Sequence, residues 1–351
     1  GCGRVGIMAY VGDSDLLGNG LLPSTNFGVG DDVGEIRESG LYEARRQAVY
    51  SHPDQTKNEV GLISLNFQNY LDDDTQLNGL IYHRYGRQKR LGGDVEAEFE
   101  SDENEWEFEG EFNNSKTRQN SSGFGLNFSK ILDNHQITTG VTFDQSSVSY
   151  HATETEDCEV NSIRKVICDD DSETEDSAKV SGKSKTYSLF ASDTTEVSGG
   201  IFVTGSLRYN HSKVENTLST PAEGIEELVA QPKERFNYSK LNPALGISAK
   251  LDNGLNLFAN ASQGNRVPTV IELGCADKDN PCLLPTGLQA DPFLEQVISR
   301  TYEIGARGRI GQGFGIISIY NTDNKDDIIF VSTDVNSGQG FFTNFGKTRN
   351  Q

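Results

Sequence analysis

The sequence predicts an all-β protein, an antiparallel up-and-down β-barrel of the membrane-spanning kind, and three observations carry that prediction. Segments whose apolar and polar residues alternate with period 2 recur along all 351 residues. Short turns and long polar loops alternate strictly between them. Several segments run about 12–17 residues, beyond the ~5–6 usual in globular sheets. That length crosses a bilayer at a tilt and projects past it.

Residues 201–210 show the cleanest alternation. Ile201, Val203, Leu207 and Tyr209 share one face; Thr204, Ser206, Arg208 and Asn210 share the other. Successive strand side chains point to opposite faces, so one side is apolar and one polar. Residues 136–144 set Ile137, Val141 and Phe143 against Thr138, Thr142 and Asp144. Residues 241–250 set Leu241, Leu245 and Ile247 against Asn242, Ser248 and Lys250. Leu255, Leu257 and Ala259 oppose Asn256, Asn260 and Ser262, and Tyr302, Ile304 and Ala306 oppose Glu303, Arg307 and Arg309. A soluble sandwich would hide the apolar face in a dry core, whereas a wide barrel turns it to lipid and keeps water inside.

Tight turns are read at Asp72-Asp73-Asp74, Leu132–His135, Ser198-Gly199, Asp252-Asn253-Gly254 and Gly311-Gln312-Gly313. Long loops are read at 16–57, 91–113, 151–183, 214–234, 265–297 and 332–340. No two short turns are neighbours. One short-turned rim and one long-looped rim are what an outer-membrane barrel has. About twelve strands result, roughly half of a 22-stranded barrel. In 91–113, Trp106, Phe108 and Phe112 alternate with Glu105, Glu107, Glu109 and Glu111. Four glutamates on one strand face would repel one another, so a loop or a hairpin is expected there. The nearest helix candidate is AEGIEELVA, within 214–234.

Hydrophobic residues are 34% of the chain and the mean hydropathy is −0.53. No run approaches the ~18–20 apolar residues of a membrane helix, which leaves a barrel open because only alternate residues meet lipid. The net charge of −21 argues against a nucleic-acid partner. The acids gather in the loops. A solvated outer face is the plain reading; the alternatives are divalent cations bridging to lipopolysaccharide, or a funnel for a cationic ligand.

Five cysteines fall as Cys158 with Cys168, Cys275 with Cys282, and Cys2 alone. Loop-local pairs fit disulfides in an oxidising compartment. Unpaired thiols or a metal site are the alternatives, although no His pair and no tandem CxxC lies nearby. His52, His83, His135, His151 and His211 lack metal-ligand spacing. No nucleophile elbow, P-loop or HExxH occurs, so neither an enzyme nor a cofactor is expected. DDDSETED within 153–180 lacks the Gly and closing Glu of a calcium loop.

The stretch LNLFANASQGNRVPTVIELG at 255–274 resembles the barrel signature of TonB-dependent outer-membrane receptors. Phe258, Ala259, Ser262, Gly264, Arg266, Pro268, Thr269, Glu272, Leu273 and Gly274 carry the first part of the likeness. Glu303, Gly305, Arg307 and Gly308 carry the second. Residues 238–251, 319–331 and 344–351 resemble the family's flanking strands, and 13–23 and 50–58 resemble a subset of its members.

The resemblance implies an active importer of a scarce, bulky solute. Ferric siderophores and other iron chelates come first, with cobalamin and oligosaccharides next. It implies a Gram-negative outer membrane, with lipid and lipopolysaccharide around the barrel, an extracellular small-molecule ligand, and TonB meeting a missing N-terminal region. Residues 1–351 are expected to be a partial barrel domain without its plug, since the chain opens in mid-strand with no initiator Met or signal peptide. Asn265, Arg266, Glu272, Phe341, Phe342 and the loop 275–282 are the candidate ligand contacts. For Arg266 the structural alternative is an ion pair with Glu272; for the two Phe it is a lipid-interface girdle or loop packing. A passive porin or a soluble secreted β-protein are the competing functions. The first would lack the ordered signatures, and no internal repeat supports the second.

Overall fold

Twelve long strands form one continuous antiparallel sheet in which each bonds to the next along the chain. They are β1 (Gly3–Leu17), β2 (Asp54–Tyr70), β3 (Thr75–Glu100), β4 (Glu105–Leu132), β5 (His135–Val160) and β6 (Thr174–Ser198). They continue as β7 (Ile201–Ala222), β8 (Glu234–Lys250), β9 (Asn256–Arg266), β10 (Val297–Ile310), β11 (Gly313–Ser332) and β12 (Gln339–Asn350). This computed structural model describes residues 3–18, 35–36, 42–43, 52–100, 105–161, 165–169, 172–222, 225–251, 254–274, 282–283, 294–310, 313–332 and 339–351. The sheet does not close: among these residues β1 and β12 do not pair with each other. It is an open, partial barrel wall.

Strands meet in tight turns at one rim. Asp74 N–H donates to Asp72 Oδ1 (3.0 Å) between β2 and β3. Asp133 takes φ 52° between β4 and β5, and Gly200 takes φ 77° between β6 and β7. That left-handed backbone suits Gly and is tolerated by Asp. The tip at 311–312 lies outside the described residues, but Ile310 pairs with Gly313 across it.

At the other rim the strands run on far past the length a bilayer needs. The span 91–113, read as a loop or hairpin, is the outer half of the β3–β4 ribbon, with Glu98 opposite Glu107 and Glu100 opposite Glu105. The backbone ladder runs on through these pairs, and an acidic ribbon beyond the membrane stands in water and salt that screen its charge. The helix candidate in 214–234 is a strand, Ile225–Ala230, paired with the end of β7. Among the described residues one short helix, α1 (Val270–Leu273), occurs elsewhere.

Among the described residues the apolar face meets no second layer. Leu245 is 61% exposed and Ile304 64%, and Leu257, Leu207 and Tyr209 are also exposed. One hydrogen-bonded row crosses this face from Ile7 through Leu65, Ile81, Phe124, Phe143 and Tyr187 to His211 and Ser239. The rings of Phe124 and Phe143 lie 5.9 Å apart, and those of Phe143 and Tyr187 5.0 Å. An exposed apolar band edged by aromatic rings is the lipid-facing wall of a membrane barrel.

The other face is polar and laterally bonded. Thr194 meets Thr204 (2.8 Å), Thr301 meets Thr322 (2.9 Å) and Thr186 meets Ser212 (2.8 Å). Arg208 donates to Thr142 Oγ1 (2.9 Å) and lies over the Phe190 ring at 5.7 Å. Tyr82 donates to Asp144 Oδ1 across β4 (2.6 Å). The concave side is identified by its contacts. Side chains of β5, β6, β7, β8, β10 and β11 converge on the β9–β10 connection from this face. It is the lumen side.

Candidate ligand-binding rim

At the long-looped rim the lumen wall changes from polar to apolar. Ala152, Ala178, Val180, Val214 and Leu218 replace the Thr and Ser found deeper, and all are buried. What buries them is the chain leaving β9. Pro268 has no N–H to donate, so pairing stops there. Thr269 then starts α1 as N-cap. Its Oγ1 accepts from Glu272 N–H (3.1 Å), while Glu272 Oε2 accepts from Thr269 N–H (2.7 Å). This reciprocal capping box fixes the single turn of helix. Val270 (4% exposed) and Leu273 (1%) point into the apolar wall. Gly182 of β6 allows the close approach, because a Cβ there would collide with Val270 and with the Glu215 carbonyl.

The connection is tied down again where it enters β10. Tyr238 Oη donates to Leu294 O (3.0 Å). Asn344 Oδ1 accepts from Glu295 N–H (2.7 Å), and its Nδ2 donates to Glu295 O (3.1 Å) and Asp326 O (2.8 Å). Both described ends of this connection therefore lie on the inner wall.

The residues singled out from sequence take definite places. Asn265 faces the lumen side in an amide cluster. Its Oδ1 accepts from Asn210 (2.8 Å) and Asn242 (2.7 Å), and its Nδ2 donates to Gln296 (3.0 Å). Arg266 Nη1 donates to both carboxylate oxygens of Glu272, at 3.0 and 2.8 Å, the structural alternative weighed for it. Its side chain is still 45% exposed, whereas that of Glu272 is 15% exposed. Phe342 stacks edge-on against Phe330, centroids 5.4 Å apart, and packs on the buried cluster. Phe341 is half-buried beside Val331. Arg266 and the amide cluster thus share the rim, while Phe342 belongs to the packing.

A disulfide joins Cys158 and Cys168, with Cα atoms 4.4 Å apart. Cys275 lies outside the described residues, and with it the proposed bond to Cys282. Among the described residues no group of three His, Cys, Asp or Glu is placed to hold a metal ion. On the lumen side of the β3–β5 extensions, burial pushes the Glu111 carboxyl up to about 7, helped by the neighbouring charges of Glu154 and Asp94; Asn113 donates to it. Sequence reasoning missed α1 and the amide cluster. The spacing Thr269-x-x-Glu272 was the available signal for the first. For the second there was none, since Asn210, Asn242, Asn265 and Gln296 come from four separate segments.

A family model for the β-barrel of TonB dependent receptor-like proteins matches residues 8–351. The chain belongs to the TonB-dependent receptor family. Members of this family are outer-membrane transporters of Gram-negative bacteria, not enzymes. The wall is similar to that of the ferric-catecholate import receptor Fiu from Escherichia coli K12 in its closed form. The TM-score is 0.68 at 13% identity, covering 99% of this chain and 52% of that one. The siderophore receptor PiuA from Acinetobacter baumannii gives 0.65 at 11% identity, covering 99% of this chain and 50% of that one. The ferric yersiniabactin uptake receptor FyuA from Yersinia pestis gives 0.56 at 15% identity, covering 80% and 38%. At these identities the likeness shows the fold. The chain spans about half the length of Fiu and PiuA, and less of FyuA.

Proposed function

We propose that these residues form part of a TonB-dependent importer of a scarce, bulky solute, with a ferric siderophore or another iron chelate as the first candidate. The observation that carries this reading is the β9–β10 connection, whose described ends fold inward onto the apolar upper part of the lumen wall at the long-looped rim. A lumen wide enough for a bulky solute needs such structure at its mouth to contact it. The half-exposed Arg266 and the rim amides are the proposed contacts, and the loop 275–282 is a further candidate. In this reading the plug and the TonB-contacting segment belong to the parent protein outside residues 1–351, the barrel sits in the outer membrane, and the ligand arrives from outside. The iron-chelate assignment draws on what Fiu, FyuA and PiuA are named for. The net charge of −21 favours neutral or cationic chelates over polyanionic ones.

A deletion strain grown on a panel of iron sources, cobalamin and glycans tests this. Loss of growth on one ferric chelate, restored by the gene, is the expected result. Equal growth on every iron source removes the ferric-chelate assignment. A parent gene with no plug-encoding segment removes active import.

A further inference from the structure

Where α1 rests on the lumen wall, one polar side chain is buried with nothing to bond. Asn216 lies on the inward face of β7 between Val214 and Leu218, and it is 2% exposed. Among the described residues neither its Oδ1 nor its Nδ2 has a hydrogen-bond partner. Across the sheet it is opposite Gly182 of β6 and Glu234 of β8. Gly182 is where Val270 of α1 comes down on the wall, its Cγ1 2.5 Å from the place a Cβ would take. Asn216 thus sits amid the apolar cluster that seats Val270 and Leu273. The foot of the same connection shows a milder case. Asn242 is 6% exposed; its Nδ2 donates to Asn265 Oδ1 (2.7 Å), but its own Oδ1 has no partner.

Burying an amide without partners strips its bonds to water and returns nothing. A leucine, close to asparagine in shape, would occupy that place without the loss. The seat of α1 is therefore weaker than an apolar wall would make it, by about tenfold in equilibrium for each unmet group. Capping and the packing of Val270 and Leu273 hold α1 down; Asn216 works against them. Lifting α1 opens both ends of this amide to a new partner. The same movement frees a charge. Glu272 accepts from Arg266 Nη1 at 3.0 and 2.8 Å while it caps Thr269 N–H. A seated α1 therefore also holds the half-exposed guanidinium at the mouth.

We propose that α1 is an autoinhibitory latch over a latent binding site, in which Asn216 takes an amide-type group of the solute once α1 lifts. The chemistry follows from the side chain. A carboxamide with both ends free matches a group that donates and accepts side by side, as a primary amide does. A group that only accepts leaves Oδ1 unmet, and one that only donates leaves Nδ2 unmet. Arg266, released from Glu272, turns to a carbonyl or carboxylate oxygen of the same solute. Seated, α1 closes the site and occupies its charge; the solute competes with α1 for the wall. This inference rests on the reading of this rim as the solute-binding end, and it adds the chemical class that the rim accepts.

The test uses the full-length receptor in mild detergent and two readouts. The first is hydrogen exchange at the Leu273 and Gly274 amides, whose acceptors are Thr269 O and Val270 O. N216L is expected to slow that exchange about tenfold or more, with the amides pairing Gly205 and Leu245 unchanged. Unchanged or faster exchange at Leu273 and Gly274, the result if a resident water already satisfies Asn216, overturns the proposal. The second is saturation-transfer NMR with acetamide as probe and N,N-dimethylacetamide, which accepts but cannot donate, as its control. L273A, which loosens α1, is expected to bind acetamide at least tenfold more tightly than wild type, because the competent state is more populated. L273A/N216L should lose that gain, and the control should bind L273A more weakly than acetamide does. Equal acetamide binding by wild type and L273A overturns the proposal, as does equal binding by L273A and L273A/N216L. If N216L does not fold, N216V takes its place in the exchange experiment and L273A/N216V in the binding one. Growth on iron sources, cobalamin and glycans is read separately. If no source depends on the receptor while both readouts hold, the import assignment fails and the latch stands.

Discussion

Replacing Leu273 with alanine isolates what holds the β9–β10 connection inside the rim. Leu273 is 1% exposed and sits in a cluster with Val180 and Val214, both at 0%, and Leu294 at 3%. Removing a buried leucine side chain costs about 2–5 kcal/mol, and most of that falls on seating the connection, because the strands remain bonded on both sides. Taking about 3 kcal/mol, with 1.4 kcal/mol per factor of ten, the unseated population should rise by about two orders of magnitude. Two amides report it directly. Leu273 N–H donates to Thr269 O and Gly274 N–H to Val270 O, each at 3.1 Å. Hydrogen exchange on the full receptor in detergent should show those amides exchanging about a hundred-fold faster. Amides of the membrane-level ladder, such as those pairing Gly205 with Leu245, should not change. Ile271→Ala, at a partly buried position, should give a smaller effect. Unchanged protection at Leu273 and Gly274, or an equal rise throughout the wall, would refute the argument that this cluster seats the connection.

Other outcomes follow from the same geometry. Leu245→Arg places a charge on the lipid-facing band and should cost about 2–4 kcal/mol near the midplane, whereas Ser206→Arg on the lumen face should be tolerated; heat-modifiability on gels reads both. Glu272→Ala removes the second half of the capping box and the partner of Arg266. A loss of about 1–2 kcal/mol in seating should appear as faster proteolysis after Arg266. Glu111 holds its proton in the folded rim up to about 7, against an ordinary value of 4.5. The stability it contributes is complete below about 4.5 and is lost as pH rises through about 7. Glu111→Gln should flatten that slope in melts of the receptor between pH 5 and pH 8. Cys158→Ser opens a cross-link of sequence separation 10. About 2–3 kcal/mol of loop ordering should go with it, seen as proteolysis between residues 158 and 168 with the wall intact.

The wall was legible because its rule is local. Alternation at 201–210 and 241–250 needs no knowledge of neighbours, and the facing assigned to Leu207, Leu245 and Ile304 is the facing found. The short turns were equally local, being written in Asp, Asn and Gly. At 91–113 a loop was favoured over the hairpin alternative, and the strands pair there; four glutamates were weighed against one another and not against the surrounding solvent. The rim was partly legible. Arg266 with Glu272 could be paired from their closeness in the chain. The contacts of Asn265 could not, because register decides them: it is the pairing of β7 with β8, and the departure of β9 beyond Ser262, that bring Asn210 and Asn242 to it.

The lateral row from Ile7 to Ser239 passes from aliphatic through aromatic to hydrophilic side chains without leaving one hydrogen-bond ladder. A second such row runs from Thr75 and Lys130 through Ile137 to Gly205, Leu245 and Tyr302, and ends at Asn321. Neighbours in register therefore sit at different heights in the bilayer, each stave displaced against the last. Sites of equal immersion lie on a diagonal of the sheet, so a scan of polar substitutions should trace a slanting stripe of intolerance, with Leu245 matched in depth by residues several rungs away on β3 and β4.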